Sequence, residues 1–309
     1  MIAIEALIEK LQSIHESDRG AIELIAMGDR AVPALRQFLL SGKPSTVFQP
    51  RLVAVEALGR IGAKDVLLEF LKTPGQTADP AVRFAEEGVR STAARELTRW
   101  PGEDVAAALI DIMREKPLPG ACDAAGQLHL NSAAPYLVDA LADDVSRPRA
   151  MDALRGMLPA ARPLLIEAVL LWLTLTNSRS DENPALHRRA LAAARILSES
   201  DVSADDAAKL GSLVDSEDPE MVACAARILL KQQTRDIGLI VHSLIGALPR
   251  APWFIRDEIR DLLAACGRDV LQPLDAEIDR RAGESKLQRS TDMLLPMLVN
   301  IRLRVAEGF

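Results

Sequence analysis

Residues 51–66 read RLVAVEALGRIGAKDV, and residues 90–105 read RSTAARELTRWPGEDV. Placed over one another without a gap, both begin with Arg, carry Ala, Leu and a second Arg at the same spacings, and end in Asp-Val. This agreement exceeds what average composition would produce. In the first stretch Ala54, Leu58 and Ile61 stand at i, i+4 and i+7, which is one stripe of an α-helix. We interpret the two stretches as one amphipathic helix that occurs twice.

The shared skeleton is an arginine, a small or apolar residue three positions later, and Leu or Ile four positions beyond that. It recurs along the chain at intervals of 26 to 42 residues, which is typical of a helical-repeat array. Two copies keep the apolar pair and lack the arginine. The copies are Arg51/Ala54/Leu58, Arg90/Ala93/Leu97, Ala121/Ala124/Leu128, Arg147/Ala150/Leu154, Arg189/Ala192/Ile196, Val222/Ala225/Leu229 and Arg256/Ile259/Leu263.

Prolines between these copies predict where other helices begin. Proline is tolerated in the first helical turn, where its missing N–H would have no partner, and a preceding Asp or Asn can cap the new helix. The predicted starts are Pro33, Pro135, Pro163 and Pro273 in one pattern, and Asp79-Pro80, Asn183-Pro184 and Asp218-Pro219 in the other.

The fold predicted from these patterns is all-α. Helices of about 12 residues are marginal in water by themselves, so neighbouring units must stack to be stable. We therefore predict a right-handed α-solenoid, or α-α superhelix, of about eight antiparallel helix pairs that runs as one continuous array over residues 1–309. Residues 1–28 should form capping helices at one end, and residues 283–309 a capping segment at the other.

Composition narrows the class of protein. The net charge of −7 argues against a surface that grips nucleic acid as a whole. Three widely spaced cysteines imply no disulfide framework and favour a cytoplasmic location. The N-terminus lacks the features of a signal peptide. The apolar run at 164–175 is short for a bilayer span and contains Glu167, so we predict a buried helix and no membrane association.

The repeat resembles the HEAT-repeat family, and the bacterial bilin-lyase-type HEAT repeats in particular. The resemblance rests on Val89-Arg90-x-x-Ala93-x-x-x-Leu97, on the stretch 51–62, and on Asp79-Pro80-Ala81-Val82-Arg83. It implies that the repeated arginine pairs with an acid in a neighbouring turn, with Asp65 and Asp104 as candidate partners. It implies an architecture and says little about activity.

The residues predict no catalytic site, no metal site and no cofactor. The four histidines are far apart in sequence and none has a second ligand at zinc spacing. Deoxyhypusine hydroxylases, which are also HEAT-repeat proteins, hold iron with several His-Glu dipeptides, whereas this chain has only His15-Glu16. No phosphate loop or nucleophile elbow is evident.

The function predicted from the sequence is a non-catalytic, cytoplasmic scaffold that binds a partner protein or peptide on its concave helical face. The candidate contacts for an acidic segment of that partner are Arg60, Arg83, Arg95 and Arg99. Nucleic acid is the less favoured partner because the outward charges are mixed in sign. The alternative is a HEAT-like enzyme that acts on nucleic acid, as alkylpurine DNA glycosylases do, or on a tetrapyrrole, as bilin lyases do.

Overall fold

A computed structural model describes residues 4–42, 46, 49–73, 78–177, 183–232, 237–283 and 294–307. Every regular element among these residues is helical, so the protein is all-α as predicted. Short 3-10 turns follow several helices, among them Leu97–Arg99 after α6. The helices are α1 (Ile4–Leu11), α2 (Ser17–Met27), α3 (Val32–Ser41), α4 (Gln49–Ile61), α5 (Lys64–Lys72), α6 (Pro80–Glu96), α7 (Glu103–Glu115), α8 (Pro119–Gln127), α9 (Ala134–Ala140), α10 (Arg147–Gly156), α11 (Leu158–Asn177), α12 (Pro184–Glu199), α13 (Ala204–Leu210), α14 (Pro219–Lys231), α15 (Ile237–Ala247), α16 (Trp253–Ala265), α17 (Leu271–Ala282) and α18 (Leu294–Glu307).

The chain divides into two compact units, Met1–Ala161 and Arg162–Phe309. In the N-terminal unit each odd-numbered helix packs against the even-numbered helix that follows it, and each helix packs against the next but one. The odd-numbered helices α1 to α9 therefore form one layer, and the even-numbered helices α2 to α10 form a second layer.

The C-terminal unit repeats this alternation. Helices α12, α14, α16 and α18 pack in succession as the second layer, and α15 packs on α17 in the first layer. The core of this unit runs through α14 to α18 and contains Ile240, Leu244, Ile259, Leu263 and Leu298, which are almost fully buried. The predicted continuous array over residues 1–309 stays a prediction, as do the capping roles of 1–28 and 283–309.

The seven copies of the repeat skeleton fall on seven consecutive second-layer helices, α4 to α16. The two apolar positions of each arginine-bearing copy are buried. In the two copies that lack arginine the last apolar residue, Leu128 or Leu229, is only half-buried. The periodicity in the sequence thus marks the side of each second-layer helix that faces the core.

In three of its five copies, the repeated arginine caps the first-layer helix that precedes it. Arg90 Nη2 donates to Leu71 O at 2.8 Å and Arg147 Nε to Leu141 O at 2.7 Å, while Arg51 donates to Leu39 O. These carbonyls belong to the C-terminal ends of α3, α5 and α9. A cation at a helix C-terminus satisfies carbonyls that have no partner within the helix and complements the helix dipole.

The acids paired with these arginines differ from the predicted ones. Arg51 pairs with Glu86, and Arg90 lies 3.6 Å from Glu115. The predicted partner Asp104 instead lies 2.7 Å from Lys64, which joins the start of α7 to the start of α5. The prediction of Asp104 was wrong, because Arg51 and Arg90 find their acids at Glu86 and Glu115, further along α6 and α7, while Lys64 takes Asp104.

Most of the predicted helix starts are confirmed. Asp79, Asn183 and Asp218 accept hydrogen bonds from the first backbone amides of α6, α12 and α14. The start predicted at Pro163 is wrong, because α11 begins at Leu158 and continues through this proline.

The helix α11 is less buried than predicted. Over Leu158–Leu175 it is long and apolar enough to cross a bilayer, and only 28% of that window is buried. One side, with Leu165, Ile166 and Val169, packs inside the protein, whereas Leu171 is exposed. The prediction of a helix at 164–175 is confirmed. Only one side of this helix is buried, so the prediction that the whole helix is buried is wrong.

Candidate functional site

The structure places three of the four candidate arginines close to one another. Arg60 lies in the last turn of α4, Arg95 in the last turn of α6, and Arg99 in the 3-10 turn that follows α6. All three are exposed. Arg83 lies in the first turn of α6, about 18 Å from Arg95 at 1.5 Å of helix rise per residue. Arg83 is therefore not part of the same site.

Arg99 pairs with the carboxylate of Glu96, and Arg60 lies near this pair. Arg99 Nη2 lies 3.0 Å from Glu96 Oε2, and Arg60 is near enough to stabilise the same carboxylate electrostatically. Arg99 Nη1 also donates to Gly59 O at 3.3 Å, which ties the end of α6 to α4. A Cβ at Gly59 would meet Glu96 Oε2 at 2.0 Å. Gly59 therefore makes room for the acid that pairs with Arg99.

The carboxylate of Glu96 is not fully compensated. Burial raises the pKa of Glu96 above its ordinary value; Arg99 and Arg60 oppose this rise in pKa, and the nearby Glu56 adds to it. Oε2 of Glu96 is buried and accepts no hydrogen bond with acceptable geometry from any described residue. Arg99 Nη2 is close to Oε2 but does not hydrogen-bond to it, because a hydrogen bond requires alignment as well as proximity.

A second arginine pair, Arg95 and Arg149, meets over Asp123. Arg95 Nε donates to Asp123 Oδ2 at 2.8 Å, and Arg149 Nε lies 3.6 Å from Asp123 Oδ1. The three residues come from three successive second-layer helices, α6, α8 and α10. The carboxylate is only 16% exposed, whereas the side chains of Arg95 and Arg149 are 42% and 54% exposed. The acid thus lies below two arginines that face solvent.

The sequence reasoning did not assign Glu96, Asp123 and Arg149 to the site. A signal for them does exist in the repeat. We number the first residue of each skeleton copy as position 0. Position 2 is then Asp123 or Arg149, position 5 is Arg95, position 6 is Glu96, and position 9 is Arg60 or Arg99. Positions 2, 5, 6 and 9 have the spacing i, i+3, i+4 and i+7 of a single helical stripe. Aligning the repeats by this stripe would have found all of them.

We call Arg60, Arg95, Arg99 and Arg149 the arginine face. These four cations surround three acids, Glu56, Glu96 and Asp123, so the face carries a local excess of positive charge on a chain that is acidic overall. Within the part of the chain that the structure describes, neither terminal nitrogen of Arg95 makes a hydrogen bond. Free guanidinium N–H groups fixed by a buried acid can bind a carboxylate or a phosphate in a defined geometry.

Arg83 lies instead at a small pocket of about 80 Å³. The charges of this pocket are largely paired with one another, since Lys116 Nζ lies 2.7 Å from Glu87 and Arg90 lies 3.6 Å from Glu115. It offers no excess charge of either sign. Its lining residues are Arg83, Glu86, Glu87, Arg90, Ile112, Glu115, Lys116 and Leu118.

The C-terminal unit has a related cluster of charges on its second layer. Arg195 of α12 lies 2.6 Å from Glu220 of α14 and 3.4 Å from Glu258 of α16, and Arg227 lies 2.8 Å from Glu258. We call these four residues the paired network. Two cations match two acids, and the side chain of Glu258 is only 15% exposed. This arrangement neutralises itself and leaves no excess charge for a partner.

The thiols and other titratable groups offer little to a reaction. Burial raises the pKa of the Cys122 and Cys224 thiols to about 12, and that of Cys266 to about 11. Thiols with such pKa values are protonated at neutral pH and are weak nucleophiles. Among the described residues, no group of three His, Cys, Asp or Glu side chains is placed to hold a metal ion.

One histidine has a close carboxylate partner. His187 Nε2 lies 2.7 Å from Asp218 Oδ2 and its ring is 5.6 Å from that of Trp172. Burial tends to raise the pKa of Asp218, but hydrogen bonds from His187 and from the amides of Glu220 and Met221 outweigh it and lower this pKa. Because Asp218 also caps α14, the pair has a structural role in joining α12 to α14.

Comparison with protein-family models and with curated proteins finds no match for this chain. The resemblance to HEAT repeats therefore rests on the repeat skeleton and on its placement along the second-layer helices.

Proposed function

We propose that the protein is a non-catalytic, HEAT-like α-solenoid that binds an acidic segment of a partner protein on the concave side of its second-layer helices. The observation that carries this proposal is the arginine face, where four arginines outnumber the three acids that lie among them. The three cysteines are unbridged and buried, which fits a reducing compartment such as the cytoplasm.

Contacts across the intervening helix support the concave assignment. In the N-terminal unit Arg95 of α6 and Arg149 of α10 meet over α8, and in the C-terminal unit Arg195 of α12 reaches Glu258 of α16 across α14. Neighbouring packed helices have axes about 8–10 Å apart. Side chains from alternate helices meet most easily on the inner side of a curved layer, where they converge.

The chemistry of the arginine face supports an acidic protein segment over nucleic acid. Guanidinium groups pair well with carboxylates, and their excess here is confined to one short stripe. A long phosphate track would require positive charge without interruption, whereas acids lie among the arginines of this face. Rim arginines of this kind chiefly increase association rate and specificity.

The experiment is to capture partners from lysate of the source organism with the tagged full-length protein. A triple variant, Arg60→Gln/Arg95→Gln/Arg99→Gln, removes three charges from the arginine face. A matched control, Arg36→Gln/Arg114→Gln/Lys116→Gln, removes three exposed charges from or next to first-layer helices of the same unit. Both variants should keep the helical circular dichroism of the wild type.

The proposal expects a protein recovered in near-stoichiometric amount with the wild type and the control, and lost with the triple variant. A partner retained by the triple variant would show that the site is elsewhere. Recovery of nucleic acid or of a pigment in place of a protein would overturn the scaffold function and favour an enzyme.

A further inference from the structure

The excess positive charge of the arginine face lies at one acid, Asp123. Arg60 and Arg99 are matched in number by the two glutamates beside them. The other two arginines, Arg95 and Arg149, have only Asp123 between them. These three residues therefore carry one uncompensated positive charge, and they are the part of the face that a single anionic group would neutralise.

Two glycines hold α8 close to both of its neighbours in the second layer. A Cβ at Gly120 would meet Ser91 O of α6 at 1.9 Å, and a Cβ at Gly126 would meet Ala153 Cβ of α10 at 2.7 Å. Gly120 N also donates to Ser91 Oγ at 2.5 Å. Asp123 lies between the two glycines, about one helical turn from each. Side chains of α6 and of α10 can therefore both reach its carboxylate.

Arg95 and Arg149 reach Asp123 from opposite sides of α8. Arg95 stands four residues after Ser91, and Arg149 stands four residues before Ala153, so these two close contacts bring both arginines to the acid. Arg95 Nε donates to one carboxylate oxygen at 2.8 Å, and Arg149 Nε lies 3.6 Å from the other. Because both guanidinium groups contact the same carboxylate, they are neighbours.

Both guanidinium groups keep N–H donors for a ligand that comes from the solvent. Arg95 uses only Nε, and Arg149 donates no hydrogen bond to any residue that the structure describes. Their side chains are about half exposed, whereas Asp123 is largely buried. A guanidinium can bind one carboxylate through Nε and a second through its terminal nitrogens, because its five N–H donors spread over a planar fork.

We propose that Arg95 and Arg149 form a two-armed site for the carboxylate of one Asp or Glu side chain of the partner protein, with Asp123 as the positioning residue. This inference rests on the proposed function and deepens it, because it names the group that binds and adds Arg149 as a residue that sets specificity. One carboxylate neutralises the site, whereas a phosphate monoester carries about −1.5 to −2 charges at neutral pH and would leave negative charge beside Asp123.

A similar trio in the same unit provides the control. Glu23 of α2 lies 3.1 Å from Arg19 Nε and 3.6 Å from Lys10 Nζ. The side chain of Arg19 is 79% exposed, whereas that of Lys10 is only 23% exposed. This trio therefore offers a ligand one arm and not two. Variants of it change the net charge of the unit by the same amount and leave the proposed site intact.

The test measures binding of fluorescein-labelled peptides to the full-length protein by fluorescence anisotropy at low salt. Three peptides share a Gly-Ser host and carry three Glu, three Gln or three phosphoserine residues. The Glu peptide is expected to bind most tightly. Arg149→Gln should weaken its binding about fivefold, as for the loss of one exposed charge pair. Arg19→Gln should leave this affinity unchanged.

Asp123 distinguishes a positioned site from a diffuse positive surface. Asp123→Asn makes the face more positive by one charge, so attraction by net charge alone would tighten binding of the Glu peptide. A positioned site should bind it about threefold more weakly, because the two long side chains lose the acid that fixes them. Glu23→Gln adds the same charge at the control trio and should not weaken binding. All variants should keep the helical circular dichroism of the wild type.

The outcomes separate this inference from the proposed function. Binding that is unchanged in Arg149→Gln and lost in Arg60→Gln/Arg95→Gln/Arg99→Gln would overturn the two-armed site and leave acidic recognition by the arginine face standing. Tighter binding by Asp123→Asn would overturn the positioning role, and tightest binding of the phosphoserine peptide would overturn the choice of a carboxylate. Equal binding of the Glu and Gln peptides would overturn the whole inference, while the capture experiment decides independently whether a partner uses this face.

Discussion

The second-layer helices of the two units carry similar charged residues on the same stripe, yet they use them differently. In the N-terminal unit the arginines outnumber the acids and are about half exposed. In the C-terminal unit Arg195 and Arg227 are about one-third exposed and are matched by Glu220 and Glu258. The difference shows that one repeat architecture can place charge either for binding or for internal support, depending on whether every cation has an acid of its own.

The largest effect is expected when the paired network is broken. Glu258→Ala leaves Arg195 and Arg227 without their shared acid in a partly buried place, so unfolding free energy should fall by about 3 kcal/mol. Urea denaturation followed by circular dichroism measures this. Asp261→Ala on the same helix is the control, since Asp261 is exposed and should change stability by less than about 0.5 kcal/mol. Equal effects of the two variants would mean that the network does not support the fold.

The next effect concerns the joint between α12 and α14. Asp218→Ala removes both a helix cap and the contact with His187, and should cost about 2 kcal/mol at neutral pH. Asp79→Ala, which removes a cap of α6 with no histidine partner among the described residues, should cost about 1 kcal/mol.

The pH dependence of this joint follows from the lowered pKa of Asp218. A group whose folded pKa is lowered contributes stability above its unfolded pKa, and that stability is lost as the pH falls through the folded pKa. The difference in unfolding free energy between Asp218→Ala and the wild type should therefore become smaller as the pH falls below 3.8, the ordinary aspartate pKa. A gap that widens in acid would contradict this assignment. Denaturation midpoints measured across this range provide the check.

A smaller effect is expected for the acid below the second arginine pair. Asp123→Ala should cost about 1 kcal/mol, because Arg95 and Arg149 are exposed enough to regain hydration. The same urea titration compares it directly with Glu258→Ala. If Asp123→Ala were the more damaging of the two, the arginine face would be a structural network, and the contrast between the units would fail.

The smallest effect is expected for Glu96. Its pKa is raised in the folded protein, so its contribution to stability is present below its unfolded pKa and lost as the pH rises through its folded pKa. Glu96→Gln should therefore leave stability at neutral pH unchanged or raise it by up to about 0.5 kcal/mol, because Arg99 and Arg60 offset much of the cost of burying the carboxylate. The gain should vanish below pH 4.5, the ordinary value for glutamate. A loss of stability at neutral pH, measured by thermal denaturation, would contradict this.

Much of the fold was predictable because the spacing of apolar residues in the repeat indicates which positions are buried. The apolar positions of the skeleton recur with helical spacing, and all except Leu128 and Leu229 are buried in the core of α4 to α16. The prediction failed at Pro163, where a proline in the second turn of α11 was taken as a helix start. Pro163 lacks the N–H that would bond to the carbonyl of Pro159, yet α11 tolerates this lost bond and continues.

The candidate site was predictable only in part. Arg60, Arg95 and Arg99 could be predicted because they are polar residues at the outward positions of a repeat whose other positions are apolar. Arg83 was also predicted, although it lies at the other end of α6 from Arg99. Glu96 was missed because it aligns with the core residue Ala57 of the previous repeat. The sequence periodicity identifies a stripe, and it does not say which side chains of neighbouring helices meet on it.

By itself the sequence determined the helical class, the period of the repeat, the core positions and most of the helix starts, because these depend on local spacing and on backbone chemistry. Only the tertiary structure decided that Arg51, Arg90 and Arg147 cap preceding helices, that Asp123 joins Arg95 to Arg149, and that Glu258 neutralises Arg195 and Arg227. These pairings join residues on different helices, most of them more than 25 positions apart, so helix packing sets their distances. Whether a given arginine is available to a partner therefore depends on how neighbouring helices pack, and the repeat sequence alone does not determine it.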